Sequence, residues 1–224
     1  MTQSWRDPSS TIKPFLYNEA FAQGATPEDT VDSGPIHPGE LSFGVSSYSP
    51  RNVGDYDGPM SLRTALEKSI NTVAVRVGDK VGIDRFIGFL NSLGIGRKRE
   101  LPRSPTAFLG AFGVRPIDWA AAYTVFPNGG PQCAPPHIVG QVHNYAGAIV
   151  YSTPIVQRQG SDRQAASLTA DCLRGVIEHG TAKSAASLGL KELAMGKTGT
   201  TNSVKDAWFA GSTNFFHFRG LGGL

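Results

Sequence analysis

Charge is sparse in this chain and long apolar runs are missing from it. Charged side chains make up 17% of the 224 residues, and the formal net charge is only +3. The densest basic stretch, Arg97-Lys98-Arg99, is short enough to read as a solvated loop, so no nucleic-acid partner is expected. No apolar run approaches the roughly 20 residues that a helix needs to cross a bilayer. The first fifteen residues include Trp5, Arg6, Asp7 and Pro8, a composition that excludes a signal peptide there. Any membrane anchor is therefore expected upstream, outside this chain. Cysteine is nearly absent: Cys133 and Cys172 could pair, stay free or be buried, and they leave the redox compartment open. The five histidines follow no His-Glu-x-x-His or mixed Cys/His spacing, so no metal site is expected. What remains is a folded domain: 40% hydrophobic residues fill a core, while 27 glycines and 15 prolines imply many turns between short elements.

Pro14 fixes the first helix. Proline lacks an N–H and is tolerated only within the first turn, so a helix running to Gln23 and stopped by Gly24 begins close to Ser10. Residues 25–59 read as loops with short strands. A helix capped by Ser61 leads into the break Ser69-Ile70-Asn71, after which helical periodicity resumes through Val73 and Val77. Further helices are predicted over 83–93, 116–126 and 161–178, the last capped by Ser161 or Asp162. A hairpin is predicted from 138–142 and 148–151. Residues 193–200 read as a strand whose antiparallel neighbour is 205–211, across a turn at Asn202-Ser203. No internal repeat and no long linker divides the chain.

Three short motifs carry the chemistry. In Ser10-Thr11-Ile12-Lys13 the lysine lies one helical turn after the serine, placing its amine within reach of the hydroxyl. The positive end of the helix favours a developing alkoxide, and a lysine of lowered pKa can take the proton. Alone, Ser10 reads better as an ordinary helix cap. In Ser69-Ile70-Asn71 a serine and an asparagine two residues apart can face one cleft, as can any polar helix junction. In Gly196-Lys197-Thr198-Gly199-Thr200, strand alternation sends Lys197 and Gly199 to one face and Thr198 to the other, beside a free edge able to pair with a ligand backbone. A P-loop is excluded for this stretch, because the position five residues before Gly196 is Lys191 rather than glycine.

Each motif is weak alone; their order, S-x-x-K then S-x-N then K-T-G, is the signature of penicillin-binding proteins and class A β-lactamases. With Arg63-Thr64-Ala65-Leu66, Asn128-Gly129-Gly130, Gly180-Thr181-Ala182 and Asp206-Ala207-Trp208-Phe209, the chain resembles the transpeptidase domain of bifunctional class A penicillin-binding proteins over nearly its whole length. The resemblance implies an α+β, β-lactamase/transpeptidase-like fold, an antiparallel sheet packed on helices with an all-helical subdomain. It implies a cell-wall DD-transpeptidase on the outer face of the cytoplasmic membrane, acting on peptidoglycan stem peptides and acylated by β-lactam antibiotics, with no cofactor. Ser10 would be the nucleophile and Lys13 its base, with Ser69 and Lys197 returning the proton to the leaving nitrogen. Lys197, Thr198 and Thr200 would bind the substrate carboxylate, Gly199 would admit the ligand backbone, and Asn71 would orient the substrate amide. The oxyanion hole would come from the backbone N–H groups of Ser10 and Thr200.

Two other readings stay open. A DD-carboxypeptidase or β-lactamase-like hydrolase would share the motifs, although Ile87 stands where a class A β-lactamase carries glutamate, three residues before Leu90-Asn91. A β-lactam sensor or an inactive fragment would bind without turnover. The ends favour a fragment. Ser10 lies almost at the start, Ser9 replaces the family's usual glycine, and the glycine-rich residues 214–224 match neither the expected apolar strand nor the closing helix. Residues 1–213 are thus expected to be a partial domain followed by an atypical tail, changed by a frameshift near Ser212. The sheet is then expected to lack its first strands and its last, leaving exposed edges that favour aggregation.

Overall fold

One helix is buried on nearly every side, and the rest of the chain is laid around it. In the computed structural model, α1 (Lys13–Ala22) buries every residue from Lys13 to Phe21, with Phe15, Leu16 and Tyr17 fully enclosed. A helix enclosed around its whole circumference, with Lys13, Asn18 and Glu19 buried among its apolar residues, has no solvent face to keep, so it becomes the core element. The structure describes residues 3–43, 48, 50–54, 58–132, 136–154, 158–190, 194–201, 206–213 and 217–223. Cys133 and the turn predicted at Asn202-Ser203 lie outside them.

Three amphipathic helices pack on α1: α3 (Asn71–Val81), α4 (Ile83–Ser92) and α6 (Arg163–Glu178). Val73 and Val77 of α3, Phe86 and Leu90 of α4, and Cys172 and Val176 of α6 face the shared core, following the predicted periodicity. Burying each such side chain contributes about 1.5–3 kcal/mol. Asp162 caps α6, its carboxylate accepting from Ala165 N at 2.9 Å. From α5 (Pro116–Tyr123), Trp119 and Tyr123 stack around Phe15 with ring centroids 4.9 and 5.1 Å away. The predicted helix over 116–126 stops at Tyr123; a backbone turn closed by Gly130 N to Val125 O follows.

The short strands expected in the loop region are β1 (Thr30–Asp32) and β2 (Pro59–Ser61), paired antiparallel. Strand β2 leads directly into α2 (Leu62–Glu67), whose cap Ser61 accepts from Thr64 N at 3.2 Å. The predicted hairpin forms too. Strands β3 (Pro131–Gln132) and β6 (Arg158–Gln159) pair at its base, and β4 (Gln141–His143) and β5 (Ile149–Ser152) pair further out. This outer ribbon is exposed throughout, leaving Val142, Tyr145, Ile149, Val150 and Tyr151 in solvent. It carries no charge either: no Asp, Glu, Lys or Arg occurs between Asp118 and Arg158.

The three-stranded sheet has the order β7-β8-β9, with β7 (Ala194–Thr200), β8 (Asp206–Thr213) and β9 (His217–Gly223) all antiparallel. Helix α6 packs against β7. The pairing predicted between 193–200 and 205–211 forms, β8 running along all of β7 from Ala194↔Thr213 to Thr200↔Ala207. One expectation is corrected here. The glycine-rich tail is not outside the sheet, because β9 pairs with β8 from Ser212↔His217 to Asp206↔Gly223. A ladder is made of backbone N–H and C=O groups, so glycine, which disfavours a helix, weakens a strand without forbidding it.

Candidate active site

The chain from Pro8 to Lys13 is the hinge of the site. A 3₁₀ turn over Ser9–Ile12 precedes α1 and presents Ser10, which is half-buried. The neighbouring Thr11 is held from three directions: its hydroxyl donates to Pro8 O at 2.6 Å and accepts from Trp119 Nε1 at 3.0 Å, and its carbonyl accepts from the Tyr123 hydroxyl. Trp119 and Tyr123, which pack on Phe15, therefore also pin the residue after the nucleophile candidate. Ser9 has φ +49°, a left-handed conformation in a non-glycine residue, so the replacement of the family's usual glycine carries a backbone cost.

The second motif is positioned by a helix end. After α2, Ser69 N donates to Leu66 O at 3.2 Å and Ile70 N to Ala65 O at 2.9 Å, the two bonds of a Schellman closure. Glycine normally occupies the left-handed position in that closure; here it is Ser69, with φ +61°. The turn puts Ser69 and Asn71 on the same side, and α3 starts at Asn71 itself.

Lys13 joins the first motif to the second. Its Nζ donates to Ser69 O at 2.6 Å, Ser69 Oγ at 3.1 Å and Asn71 Oδ1 at 2.7 Å. This differs from the expected contact with Ser10, whose hydroxyl makes no hydrogen bond among the described residues. An ammonium has three protons, and these bonds use all three. The side chain is fully buried, and burial, followed by the neighbouring Lys197 charge, lowers its pKa well below the usual lysine value. A neutral amine gives up one of these three bonds, keeping two protons to donate and a lone pair that can take the proton of Ser10.

The third motif closes the site on β7. Lys197 is also fully buried, its pKa lowered by desolvation to about 7, and its Nζ donates to Thr198 O at 3.1 Å. Strand β7 is the outer strand of its sheet and packs against the Ser9–Ile12 turn. Gly199 permits that approach: a Cβ there would lie 2.9 Å from both Pro8 O and Thr11 Cγ2. Thr198 is half-buried, Thr200 is exposed, and Thr198 Oγ1 lies 2.5 Å from Thr181 Oγ1. The assembled site thus has two buried lysines below and hydroxyls and an amide above.

One residue here has no signal in the three motifs. The side chain of Asn52 accepts from Asn71 N at 2.9 Å and Thr72 N at 3.1 Å, and donates to Ser33 O at 3.0 Å. Ile70, at the cap position of α3, offers no side-chain acceptor, so Asn52 caps that helix from another segment. Beside it, Arg51 O accepts from Asn71 Nδ2 at 2.6 Å. Asn71 is therefore engaged at both ends of its amide, with one Nδ2 proton left over. A separate cleft of about 230 Å³, lined by Trp5, Leu93, Ile95, Arg97 and Arg115 among others, includes none of the predicted site residues. Among the described residues no group of three His, Cys, Asp or Glu side chains could hold a metal ion, and no helix is long and apolar enough to cross a membrane.

Residues 1–214 match the penicillin binding protein transpeptidase domain family. Penicillin-binding protein 1A of Neisseria meningitidis serogroup A is 37% identical over 216 residues, covering 93% of this chain and 27% of that protein. The chain thus spans about a quarter of the length of such curated relatives. The crystal structure of penicillin-binding protein 1A from Haemophilus influenzae superposes with a TM-score of 0.82 at 29% identity, covering 94% of this chain and 36% of that one. Penicillin-binding protein A of Mycobacterium tuberculosis, solved as an imipenem acyl-enzyme complex, shares the fold with a TM-score of 0.74 at 22% identity, over 92% of this chain and 52% of that one. With a family match that takes in all three motifs, and relatives aligned along more than nine-tenths of its residues, the chain belongs to the penicillin-binding protein transpeptidase domain family.

Proposed function

We propose that this chain is the acyl-transfer unit of a peptidoglycan DD-transpeptidase, working on the outer face of the cytoplasmic membrane. The observation that carries the reading is Lys13: one buried amine gathers Ser69 and Asn71, more than fifty residues away, while Lys197 lies close enough to depress its pKa. Neutral Lys13 takes the proton of Ser10 as Ser10 Oγ attacks the carbonyl between two D-alanines. The new C–O bond forms, the C–N bond breaks, and Ser69, between Lys13 and the leaving nitrogen, returns the proton to release D-alanine. An amine of a second stem peptide then repeats the sequence in reverse and leaves with the acyl group. Lys197, Thr198 and Thr200 bind the carboxylate, Asn71 uses its remaining amide proton on the substrate, and the N–H groups of Ser10 and Thr200 hold the oxyanion. β-Lactams acylate the same serine, a reading supported by the relative from M. tuberculosis, which was solved as an imipenem acyl-enzyme complex.

Hydrolysis is the nearest rival. Ile87, at the position where a β-lactamase keeps its water-activating glutamate, is buried in the core and cannot polarise water. Incubation of the 224-residue chain with a fluorescent penicillin should give a covalent adduct that persists for hours and is lost in Ser10→Ala. Rapid loss of the label would favour a hydrolase, and no label on folded wild-type chain would sink the enzymatic reading. Donor and acceptor stem peptides then separate a transpeptidase, which cross-links them, from a carboxypeptidase or a sensor.

A further inference from the structure

We propose that Thr181 is a positioning residue of the carboxylate site, acting through Thr198. The proposal rests on the acyl-transfer reading above and concerns a residue to which that reading gives no role. Thr181 follows the end of α6, in the turn Gly180-Thr181-Ala182, and is exposed. Two backbone bonds fix the turn: Thr181 N donates to Glu67 O at 3.2 Å and Ala182 N to Val176 O at 3.0 Å. Glu67 is the last residue of α2, two before Ser69, so the turn is tied to the element that carries the second motif. On its other side the Thr181 hydroxyl meets Thr198 Oγ1 at 2.5 Å, at the short end of the range for hydroxyl pairs. Thr181 therefore spans the Ser69 turn and β7, the two walls between which a substrate would lie.

Proton counting gives the pair its function. Two hydroxyls hold two protons; one is used in the mutual bond and one is free. A carboxylate can only accept, so its arrival selects the arrangement in which Thr181 donates to Thr198 and Thr198 donates to the carboxylate. A hydroxyl that accepts a hydrogen bond becomes a stronger donor, so Thr198 with Thr181 behind it binds the carboxylate more tightly than a lone hydroxyl. The buried Lys197 ammonium supplies the charge, and the hydroxyl chain supplies direction. The ligand class is an organic monocarboxylate: the terminal carboxylate of a stem peptide, or the ring carboxylate of a penicillin in its place.

The test compares a substrate that has the carboxylate with one that does not. The second-order rate constant for acylation by benzylpenicillin, and by its methyl ester, is measured by intact mass on wild-type chain, Thr181→Val and Thr181→Ser. Valine keeps the shape and removes the hydroxyl. Thr181→Val should slow reaction with the acid by about tenfold, the upper worth of the one neutral hydrogen bond it removes, and leave the ester rate unchanged; Thr181→Ser should recover the acid rate. An equal loss on acid and ester would make Thr181 a structural residue only, and an unchanged acid rate would remove its role altogether. Wild-type chain that fails to acylate at Ser10 would remove the acyl-transfer reading and this proposal together, an outcome set apart because it needs no variant to be seen.

Discussion

Gly199 and Thr11 touch where no side chain fits between them: a Cβ on Gly199 would sit 2.9 Å from Thr11 Cγ2 and 3.2 Å from Thr11 N. The strand carrying Lys197 and the turn carrying Ser10 are thus set apart by the thickness of a bare backbone. Gly199→Ala pushes the two walls of the site away from each other. It should slow Ser10 acylation by at least tenfold and lower stability by about 1–3 kcal/mol, the usual cost of overpacking. Stopped-flow acylation and a melting curve check both, and an alanine variant of unchanged rate would show that the spacing is not critical.

The two buried lysines make the reaction and the fold respond to pH in the same direction at first. Proton removal from Ser10 needs neutral Lys13, whose pKa lies well below the ordinary lysine range, so acylation should rise with pH through that pKa. Loss of the Lys197 charge then weakens carboxylate binding and gives a falling limb, displaced above 7 by the bound carboxylate itself. Lys197→Met should abolish the falling limb.

Stability follows from the same shifts. Lys197 has a folded pKa near 7 and a higher unfolded one, so between them the unfolded chain binds more protons and stability rises with pH. Each such group contributes about 1.4 kcal/mol per pH unit. Cys172 opposes this from roughly pH 8.5 upward, because burial pushes its thiol up to about 12 and only the unfolded chain then loses that proton. The melting temperature should climb from pH 7 to about 8.5, and Lys197→Met should flatten the slope. A wild-type melting point that falls over that interval would contradict the assignment.

Asn52 should behave as part of the site despite lying far from all three motifs in sequence. Asn52→Ala removes the acceptor for Asn71 N and Thr72 N, at a cost of about 1 kcal/mol in stability. It should also slow acylation, because Asn71 Oδ1 then no longer holds Lys13 in one place. Asn52→Asp keeps the acceptor and should restore most of the stability. Equal rates for all three chains would confine Asn52 to a capping role.

Two serines carry left-handed backbones, and they should respond oppositely to glycine. Ser9→Gly relieves φ +49° without removing any proposed chemistry, so it should stabilise the chain by about 1 kcal/mol with acylation intact. Ser69→Gly relieves φ +61° in the same way, yet it deletes the hydroxyl 3.1 Å from Lys13 Nζ and should abolish turnover. Melting curves beside acylation rates distinguish strain kept for function from strain that is incidental.

Helix positions were legible because burial imposes a period: Phe86 and Leu90, or Cys172 and Val176, repeat at helical spacing and all face the core. Eight candidate site residues stand out in the sequence because acyl transfer restricts residue type and spacing, and the structure joins three of them, Lys13, Ser69 and Asn71, by direct bonds. Contacts made through backbone were not legible. The β9 tail pairs by amides that every residue possesses, so its composition hid a strand. The partners of Asn52 are backbone N–H groups nineteen and twenty positions away, and no local pattern announces them. Lys13 was expected beside Ser10 because the helix places them one turn apart, but three acceptors in the second motif compete for the same ammonium and win.

The ribbon of β4 and β5 is exposed on all its residues and uncharged along its length, which makes it a separate cooperative unit in the native state. Its amides should exchange with deuterium long before those of α1, since opening it uncovers none of the core. Trypsin, which needs lysine or arginine, has no cleavage site between Arg115 and Arg158 and should pass over it. Chymotrypsin should nick it at Tyr145, fully exposed at the turn, and leave the two pieces held together by a helical core that still contains Ser10.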